Sequence, residues 1–580
     1  MKNNTQQTNS TSNLFSIKSF FINNWLILSS FILFSIFNVI IFLRYGWLFG
    51  AQDLQFHLQR IEELYQNSQH LNFFPSIATF TFNQNGSAVM SMYPKLPLYL
   101  FVACRLIIQQ PIISYYVGII LMTFIGMVVA YFCYLSIERG KKIGAYIFAI
   151  IYMMSGLIVN YNFYMGDIGI SFSLIFLPLA FTGLFHWIST GKYKMLTLGI
   201  SLISLSHVLN VIFVIVTMII FTLINIQKLS KAKIVNLLKS IGITILITSS
   251  FWLPALSFGT STKMVKPYNA LLQGISIPDY LLRSLSNNVT YGITFFAVLG
   301  LVLGSIYYCR LPTYIHQALW VAIGYFLISS NLFPWKIFQH TGFRLIQFPW
   351  RLLIFTQLFL VFIFSYLISR LLEQSSHKQI NGLITAMLII VTVALSLNTQ
   401  QRHLKFELGA PEISAPLDEN YGIGFKNTVA WYKITNRYEY HHLMAFNSTG
   451  DYLPQNAFIV FKQIASKSHF AALHSPDGLL PTTLKSGADQ STISFQTSQI
   501  TNKIELPFVI YNHHYQIKLD SKKIPLNISK HQLLLIKNVK AGTHTVHVQY
   551  KNNAITIAVA LMTVAGLIAI IYVPKKHHSV

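Results

Sequence analysis

The sequence predicts a polytopic α-helical membrane protein, with roughly twelve transmembrane helices and an extracellular β-sandwich-like domain before the last one. Three observations carry this. Of 580 residues, 53% are hydrophobic and only 10% charged, and the mean hydropathy is +0.51. Apolar runs approaching the ~20 residues that cross a bilayer recur along the chain. Between Leu397 and Ala554 the composition turns polar and rich in β-formers.

The elements follow in order. Met1 to Asn13 is rich in Asn, Thr, Ser and Gln, the composition of a disordered segment, and belongs to a cytoplasmic tail over 1–21. The first apolar run, Ile22 to Leu43, is too long for a signal-peptide core and lacks a small-residue cleavage site, so it reads as a retained helix. Candidate spans are 22–43, 112–137, 143–159, 172–189, 195–207, 208–226, 240–257, 291–309, 316–332, 350–372, 380–397 and 554–573. They form a transmembrane domain over 22–397, with a first outer loop at 44–111. Residues 195–226 are short for two full spans, so a broken or tilted helix is expected there. Pro94 to Ile108, interrupted by Pro97 and Arg105, reads as an interfacial or re-entrant helix.

Basic loops set the orientation. Arg139, Lys141 and Lys142 form one, Lys192 and Lys194 another, Lys228, Lys231, Lys233 and Lys239 a third, and Lys575 and Lys576 a fourth. All fall on one side if the N-terminus is inside. The expected setting is the plasma membrane, with both termini cytoplasmic, the β domain outside, and residues 554–580 forming the last helix and a basic tail.

The net charge is +25. Lys263, Lys266, Arg283, Lys336, Arg344 and Arg351 lie in expected outer loops, against the usual bias. They suit either lipid-headgroup anchoring or an anionic substrate, since one Coulomb attraction serves both. Cys104, Cys133 and Cys309 lie in or beside apolar helices, so neither a disulfide framework nor metal-ligand spacing is implied. The chain has no Walker loop and no GxGxxG after a strand, which argues against an ATP-driven pump and a Rossmann-type nucleotide-sugar enzyme. Nothing calls for nucleic acid.

In the polar segment, 398–553, β-strands are expected at Ala457 to Phe461, Thr492 to Gln496, Ile504 to Tyr511, Tyr515 to Leu519, Gln532 to Ile536 and Thr543 to Tyr550. Turns are expected at Asp520 to Lys523 and at Ala541-Gly542. A domain of this size can bury its own core.

The chain has only 17 acidic residues, so a carboxylate beside a membrane is a candidate for chemistry. In a helix over 53–65, Asp53, His57 and Arg60 share one face, while Leu54, Leu58, Ile61 and Tyr65 share another. Such a helix would lie on the membrane, apolar side down and polar side toward a lumen-like cavity. Asp53 is equally explained as a helix N-cap. Asp167, in Asn160-Tyr161-Asn162-Phe163-Tyr164-Met165-Gly166-Asp167, is the only acid of its loop; the aromatic residues there suit sugar stacking or an interfacial belt. His207, between two short apolar runs, suits a structural hydrogen bond or a buried functional group. Gln347-Phe348-Pro349-Trp350-Arg351 opens a span as an interface anchor or as a cationic site.

A series of motifs runs through most of the chain: Asp53-Leu54-Gln55-Phe56-His57-Leu58-Gln59-Arg60-Ile61-Glu62, Met92-Tyr93-Pro94-Lys95-Leu96-Pro97-Leu98-Tyr99, Leu205-Ser206-His207-Val208, Gln347 to Arg351, and Asp451-Tyr452-Leu453-Pro454. On these the chain resembles the YfhO-like bacterial membrane proteins and the related group labelled 6-pyruvoyl-tetrahydropterin-synthase-related, both similar to GT-C glycosyltransferases. Pterin chemistry would need a zinc-binding His cluster, which the membrane region does not show. The resemblance implies an inverting glycosyltransferase with Asp53 and Asp167 as catalytic carboxylates, Asp53, alone or with Asp167, acting as general base. Where similar proteins carry Arg-Gly before the second acid, this chain has Met165-Gly166. The resemblance also implies a polyprenyl-phosphate sugar donor and a cell-envelope glycan or teichoic-acid-like acceptor. His57, Arg60, His207, Lys336, Arg344 and Arg351 would bind substrate. Some enzymes of this type use a divalent cation (Mg or Mn), which Asp53 and Asp167 could share. The competing readings are a flippase for lipid-linked glycans and a non-catalytic envelope scaffold.

Overall fold

A computed structural model of the chain describes residues 17–51, 53–266, 270–288, 291–410, 431–446, 451–460 and 483–571. The tail expected over Met1 to Asn13 lies outside them; the first helix already begins at Ile17 and runs to Phe37.

Six helices among the described residues are long and apolar enough to cross a membrane: Pro111–Ile137, Lys142–Tyr164, Ile168–Thr190, Pro349–Gln374, Lys378–Leu408 and Asn553–Ile571. A seventh span forms if Lys231–Ile247 and Ser249–Gly259, bent by 64° at their junction, count together. Other expected spans are shorter helices, among them Lys194–Ser204, Val208–Ile224, Phe295–Ile306 and Thr313–Ser329. The expected break within 195–226 falls where His207 caps the second of these helices. Ile168–Thr190 and Pro349–Gln374 are buried along most of their length, as helices apolar on all sides must be. Lys378–Leu408 and Asn553–Ile571 bury little and form the rim. The first of these outruns the expected 380–397 span by eleven residues at its C-terminal end, to Leu408.

The bundle is polarised. Lys141 pairs with Glu373 and Lys233 donates to the Ile188 carbonyl, both near helix C-termini. Asp167 and Arg351 lie at the N-terminal ends of those same two helices. The basic loops around Lys141 and Lys233 therefore lie opposite the end that carries the candidate site.

That end is covered by a two-layer β domain. The described strands are β1 (Leu48–Ala51) and β2 (Trp431–Ile434), which pair with each other apart from the domain and pack on the bundle, and, within the domain, β3 (Thr483–Gly487), β4 (Gln490–Thr497), β5 (Thr501–Val509), β6 (Tyr515–Leu519), β7 (Lys522–Ile524), β8 (Leu533–Val539) and β9 (Gly542–Tyr550). The larger sheet has the order β3-β4-β9-β6-β7, and β5-β8 faces it across a shared core. Along β4, Ser491, Ile493, Phe495 and Thr497 are buried and the residues between them are not, the period-2 pattern of a strand with one face on a core. Within the expected Asp520–Lys523 turn only Asp520 and Ser521 are left-handed, at φ 47° and 68°; Lys522 and Lys523 begin β7.

One expected strand is corrected. Residues 457–460 are helical, within a helix over 455–460, not a strand; position 461 lies outside the described residues. The core cluster of the domain is separate from that of the bundle, and Ile77 and Ala88 from the first loop, and Phe258 from the bent helix pair, lie inside it as well. Those long-range contacts fasten the domain to the site end of the bundle.

The Leu54–Gln69 helix is also not a surface helix. His57, Gln59, Arg60, Glu62 and Glu63 are all buried. Its polar residues meet polar protein partners on several sides instead of water. The Tyr432 hydroxyl donates to Gln55 Oε1, Gln59 donates to the Met444 carbonyl at 3.1 Å, and Glu62 lies between Arg105 and His441. A buried polar face is stable only when satisfied in this way.

Candidate active site

The Lys142–Tyr164 span ends in a wide π-type turn over Asn160–Tyr164, a helix distortion often found at functional sites. Met165 and Gly166 then turn the chain into the next helix. The Met165 carbonyl accepts the Asp53 N–H at 3.0 Å, which docks the start of the Leu54–Gln69 helix on this turn. Gly166 has φ +62°, and a Cβ there would lie 2.3 Å from Leu54 Cβ and 2.7 Å from Leu54 Cα. Only glycine fits both the conformation and the approach. Gly166→Ala is expected to push Asp53 away from Asp167 and to lower any activity of the site roughly 100-fold, since misplacement by about 1 Å carries that cost. Turnover by the purified protein, with the melting temperature as a control, measures this.

Asp167 caps Ile168–Thr190: its Oδ1 accepts the Ile170 N–H at 2.8 Å. His57 Nε2 stands 3.4 Å from the same oxygen, with both side chains buried. Asp53 also holds an N-cap position, but its side chain makes no capping bond. The cap therefore does not account for Asp53. The residue is exposed to solvent although protein surrounds its carboxyl on most sides.

Tyr93 stands between two imidazoles, its ring centroid 5.8 Å from that of His57 and 6.1 Å from that of His207. His207 Nδ1 accepts the Asn210 N–H at 3.1 Å, which leaves Nε2 to carry the proton of the neutral ring. Arg60 lies 4.4 Å over the Tyr93 ring and donates to the Tyr93 and Pro94 carbonyls at 3.2 and 2.6 Å. Its Nη2 group thus holds this loop in place.

Tyr452 stacks on Phe56 and meets Tyr93 edge-on. Its carbonyl accepts the Tyr511 hydroxyl at 3.0 Å, and that hydroxyl accepts the Ala88 N–H at 3.0 Å, so Tyr511 of the β domain braces the site. Arg351 is held by Gln347 Oε1 at 2.8 Å and lies over the Phe348 ring. Gln347 and Tyr452 have φ near +60°, a strained conformation for such side chains that gathers at functional sites.

The two nearest carboxyls are driven apart. Burial and the charge of Asp167 push Asp53 up to about 7; Arg351 opposes this and Asp451 adds to it. Burial also raises Asp167, but the His57 hydrogen bond, the His207 and His57 charges and the Ile170 N–H outweigh it and hold its carboxyl below the usual range. Burial lowers His57, and it lowers His207 to about 4. Two carboxyls with values set apart by their surroundings mark acid–base assignments.

Asp53, Asp167, His57, His207, Arg60 and Arg351 thus converge, although only Arg351 among the expected loop cations joins them. Lys336 and Arg344 lie on separate 3-10 turns, Trp335–Phe338 and Gly342–Ile346, and no described contact brings either to the cluster. Tyr93, Asp451 and Tyr452 were legible only as motif residues. The scarcity of acids could have singled out Asp451 as it did Asp53. Among the described residues no three His, Cys, Asp or Glu side chains stand close enough to share a metal ion.

A family model described as 6-pyruvoyl-tetrahydropterin synthase related domain, membrane protein, matches residues 90–404, more than half of the chain. No curated relative matches. Among solved structures, the single-particle cryo-EM structure of arabinofuranosyltransferase AftD from Mycobacteria is similar at 12% identity and a TM-score of 0.41. The match covers 65% of this chain and 26% of that one, so the chain spans about a quarter of that neighbour's length.

Proposed function

The chain belongs to the membrane-protein family described as 6-pyruvoyl-tetrahydropterin synthase related, and from that premise we propose that it is a glycosyltransferase working at the membrane surface. It moves a sugar from a polyprenyl-phosphate carrier to a hydroxyl of a cell-envelope glycan or teichoic-acid-like polymer on the outer face. The observation that supports this most is the carboxyl of the solvent-exposed residue Asp53, raised to about 7 beside the lowered Asp167.

In this reading Asp53 is the general base. It takes the proton of the acceptor hydroxyl as that oxygen bonds to the anomeric carbon. The bond from that carbon to the carrier phosphate breaks, and the phosphate leaves with the electron pair. Direct displacement inverts the anomeric centre. A base near the working pH is stronger than an ordinary carboxylate and is still about half unprotonated at pH 7. Arg351, in electrostatic range of Asp53, meets the charge growing on the phosphate. Asp167 stays ionised and keeps Asp53 basic, while His57, Tyr93 and His207 wall off the pair. The β domain orients the acceptor, braced to the site through Tyr511.

The pH–rate profile tests this. With Asp53 as base, transfer in reconstituted membranes rises about tenfold per pH unit below about 7 and levels off above it. A rate that falls through that range assigns Asp53 as an acid, and a flat profile removes it from the chemistry.

A further inference from the structure

At the basic-loop end of the bundle, away from the carboxyl cluster, the helices surround a cavity of about 190 Å³. Its lining residues fix its place. Ile137 and Ser189 stand at the C-terminal ends of Pro111–Ile137 and Ile168–Thr190, Lys228 just beyond Val208–Ile224, and Tyr314 at the start of Thr313–Ser329. Lys233, whose amine holds the Ile188 carbonyl at this end, also donates to the Lys228 carbonyl at 2.9 Å. The interior is apolar and preformed. Phe181, Phe221 and Phe359 line it and meet one another pairwise, with ring centroids 5.0–6.2 Å apart. Rings wedged in this way have little freedom to turn into the gap. The mouth is polar. Lys228 is exposed there, and its Nζ donates to Asn225 Oδ1 at 2.9 Å. Asn225 is buried and exchanges amide hydrogen bonds with Gln317 at 2.9 and 3.1 Å, so the ammonium is held at the rim with donors to spare. Among the described residues no carboxylate lines the cavity. Glu138, behind Tyr314, is held by the Tyr314 hydroxyl and by Arg370 at 3.4 Å.

We propose that this cavity takes one acyl chain of an anionic phospholipid from the leaflet at the basic-loop end, with Lys228 at the lipid phosphate. The lining selects a chain. A hollow walled by rings forfeits dispersion contacts on its open side, and a water needs several polar partners, which stand only at the mouth. The cavity lies among membrane spans, so an acyl chain is the apolar group that its surroundings supply. The mouth selects the headgroup. Lys228 is followed closely by Lys231 and Lys233, and a basic hollow between spans at a membrane surface holds anionic headgroups. The bound chain fills space between Ile168–Thr190 and Pro349–Gln374, the two helices whose far ends carry Asp167 and Arg351. This lipid is a resident of the bundle and neither the donor nor the acceptor, so the site stands or falls independently of the glycosyl-transfer reading.

Counting the lipid held by the full chain tests this. The protein is reconstituted in bilayers of equal phosphatidylglycerol and phosphatidylcholine and extracted in detergent, and the lipid left on each chain is counted by native mass spectrometry. One phosphatidylglycerol per chain is expected, favoured over phosphatidylcholine about fivefold, the ratio that roughly 1 kcal/mol from one lysine at a membrane surface gives. Lys228→Glu is expected to erase the preference and Lys228→Arg to keep it. Ala318→Phe, which fills the cavity from a lining position, is expected to remove the bound lipid. Equal retention of the two lipids by the wild type overturns the proposal, as does retention unchanged by Ala318→Phe. If Ala318→Phe melts well below the wild type, Lys228→Glu decides alone, because an exposed side chain can be replaced without disturbing the core: a preference that survives it overturns the site.

Discussion

Asp53→Asn is expected to lower sugar transfer by roughly 10²–10⁴-fold, the range for loss of a positioned general base, and at the same time to raise the melting temperature at pH 8. Both effects have one origin. The folded protein holds the Asp53 carboxyl at about 7 against an ordinary value of 3.8. A carboxyl raised on folding contributes stability below its unfolded value, and that contribution is lost as the pH rises through the folded value. Above pH 7 the folded state therefore carries a charge it disfavours, and an amide removes it. Near pH 4 the two proteins should melt alike. A variant that loses activity and also melts lower at pH 8 would make Asp53 a structural residue. Transfer that persists at wild-type rates would end the catalytic assignment.

Glu63→Ala is expected to cost on the order of 4 kcal/mol, enough to endanger folding, because it leaves several buried groups without partners. Glu63 is fully buried. Its carboxylate accepts the backbone N–H groups of Thr79, Phe80 and Thr81 at 2.9–3.0 Å, the Thr81 hydroxyl, and the Asn67 amide. The segment it gathers leads into Phe82, Asn83 and Gln84, three consecutive non-glycine residues with φ between 53° and 61°. Such a left-handed run costs roughly 1–2 kcal/mol per residue and needs outside support. Thr79 also donates to the Gly487 carbonyl, so the segment joins the site helix to the β domain. Thermal melting of the full chain in detergent measures the loss. Glu63→Gln, which keeps one acceptor oxygen, should lose less. Equal melting of Glu63→Ala and wild type would show that this segment is held by something else.

Much of this fold was legible in the chain. Strands β6 and β9 fall almost where alternation put them, because a strand with one buried face writes its period into the sequence. The Leu54–Gln69 helix was legible too, with Asp53, His57 and Arg60 on the face that meets the site. Its depth was not. Gln55, Gln59, Glu62 and Glu63 read as a wetted face, and a polar face satisfied by protein has the same composition as one satisfied by water. The same ambiguity hid the roles of the caps. Asp53 looked like an N-cap and makes no capping bond, whereas Asp167, in an aromatic loop, does cap its helix.

By itself, then, the sequence determined the helical membrane class, the β domain, and which few carboxylates could matter, since hydropathy, alternation and scarcity are local properties of the chain. Only the tertiary structure decided which charges act together. It brought Asp53, Asp167 and Asp451 into one electrostatic neighbourhood from three distant segments, joined Arg351 to them, and left Lys336 and Arg344 on separate turns. Burial and the charge of Asp167 raise Asp53, while His57 and His207 lower Asp167. Those forces depend on distance in space, which spacing along the chain does not encode.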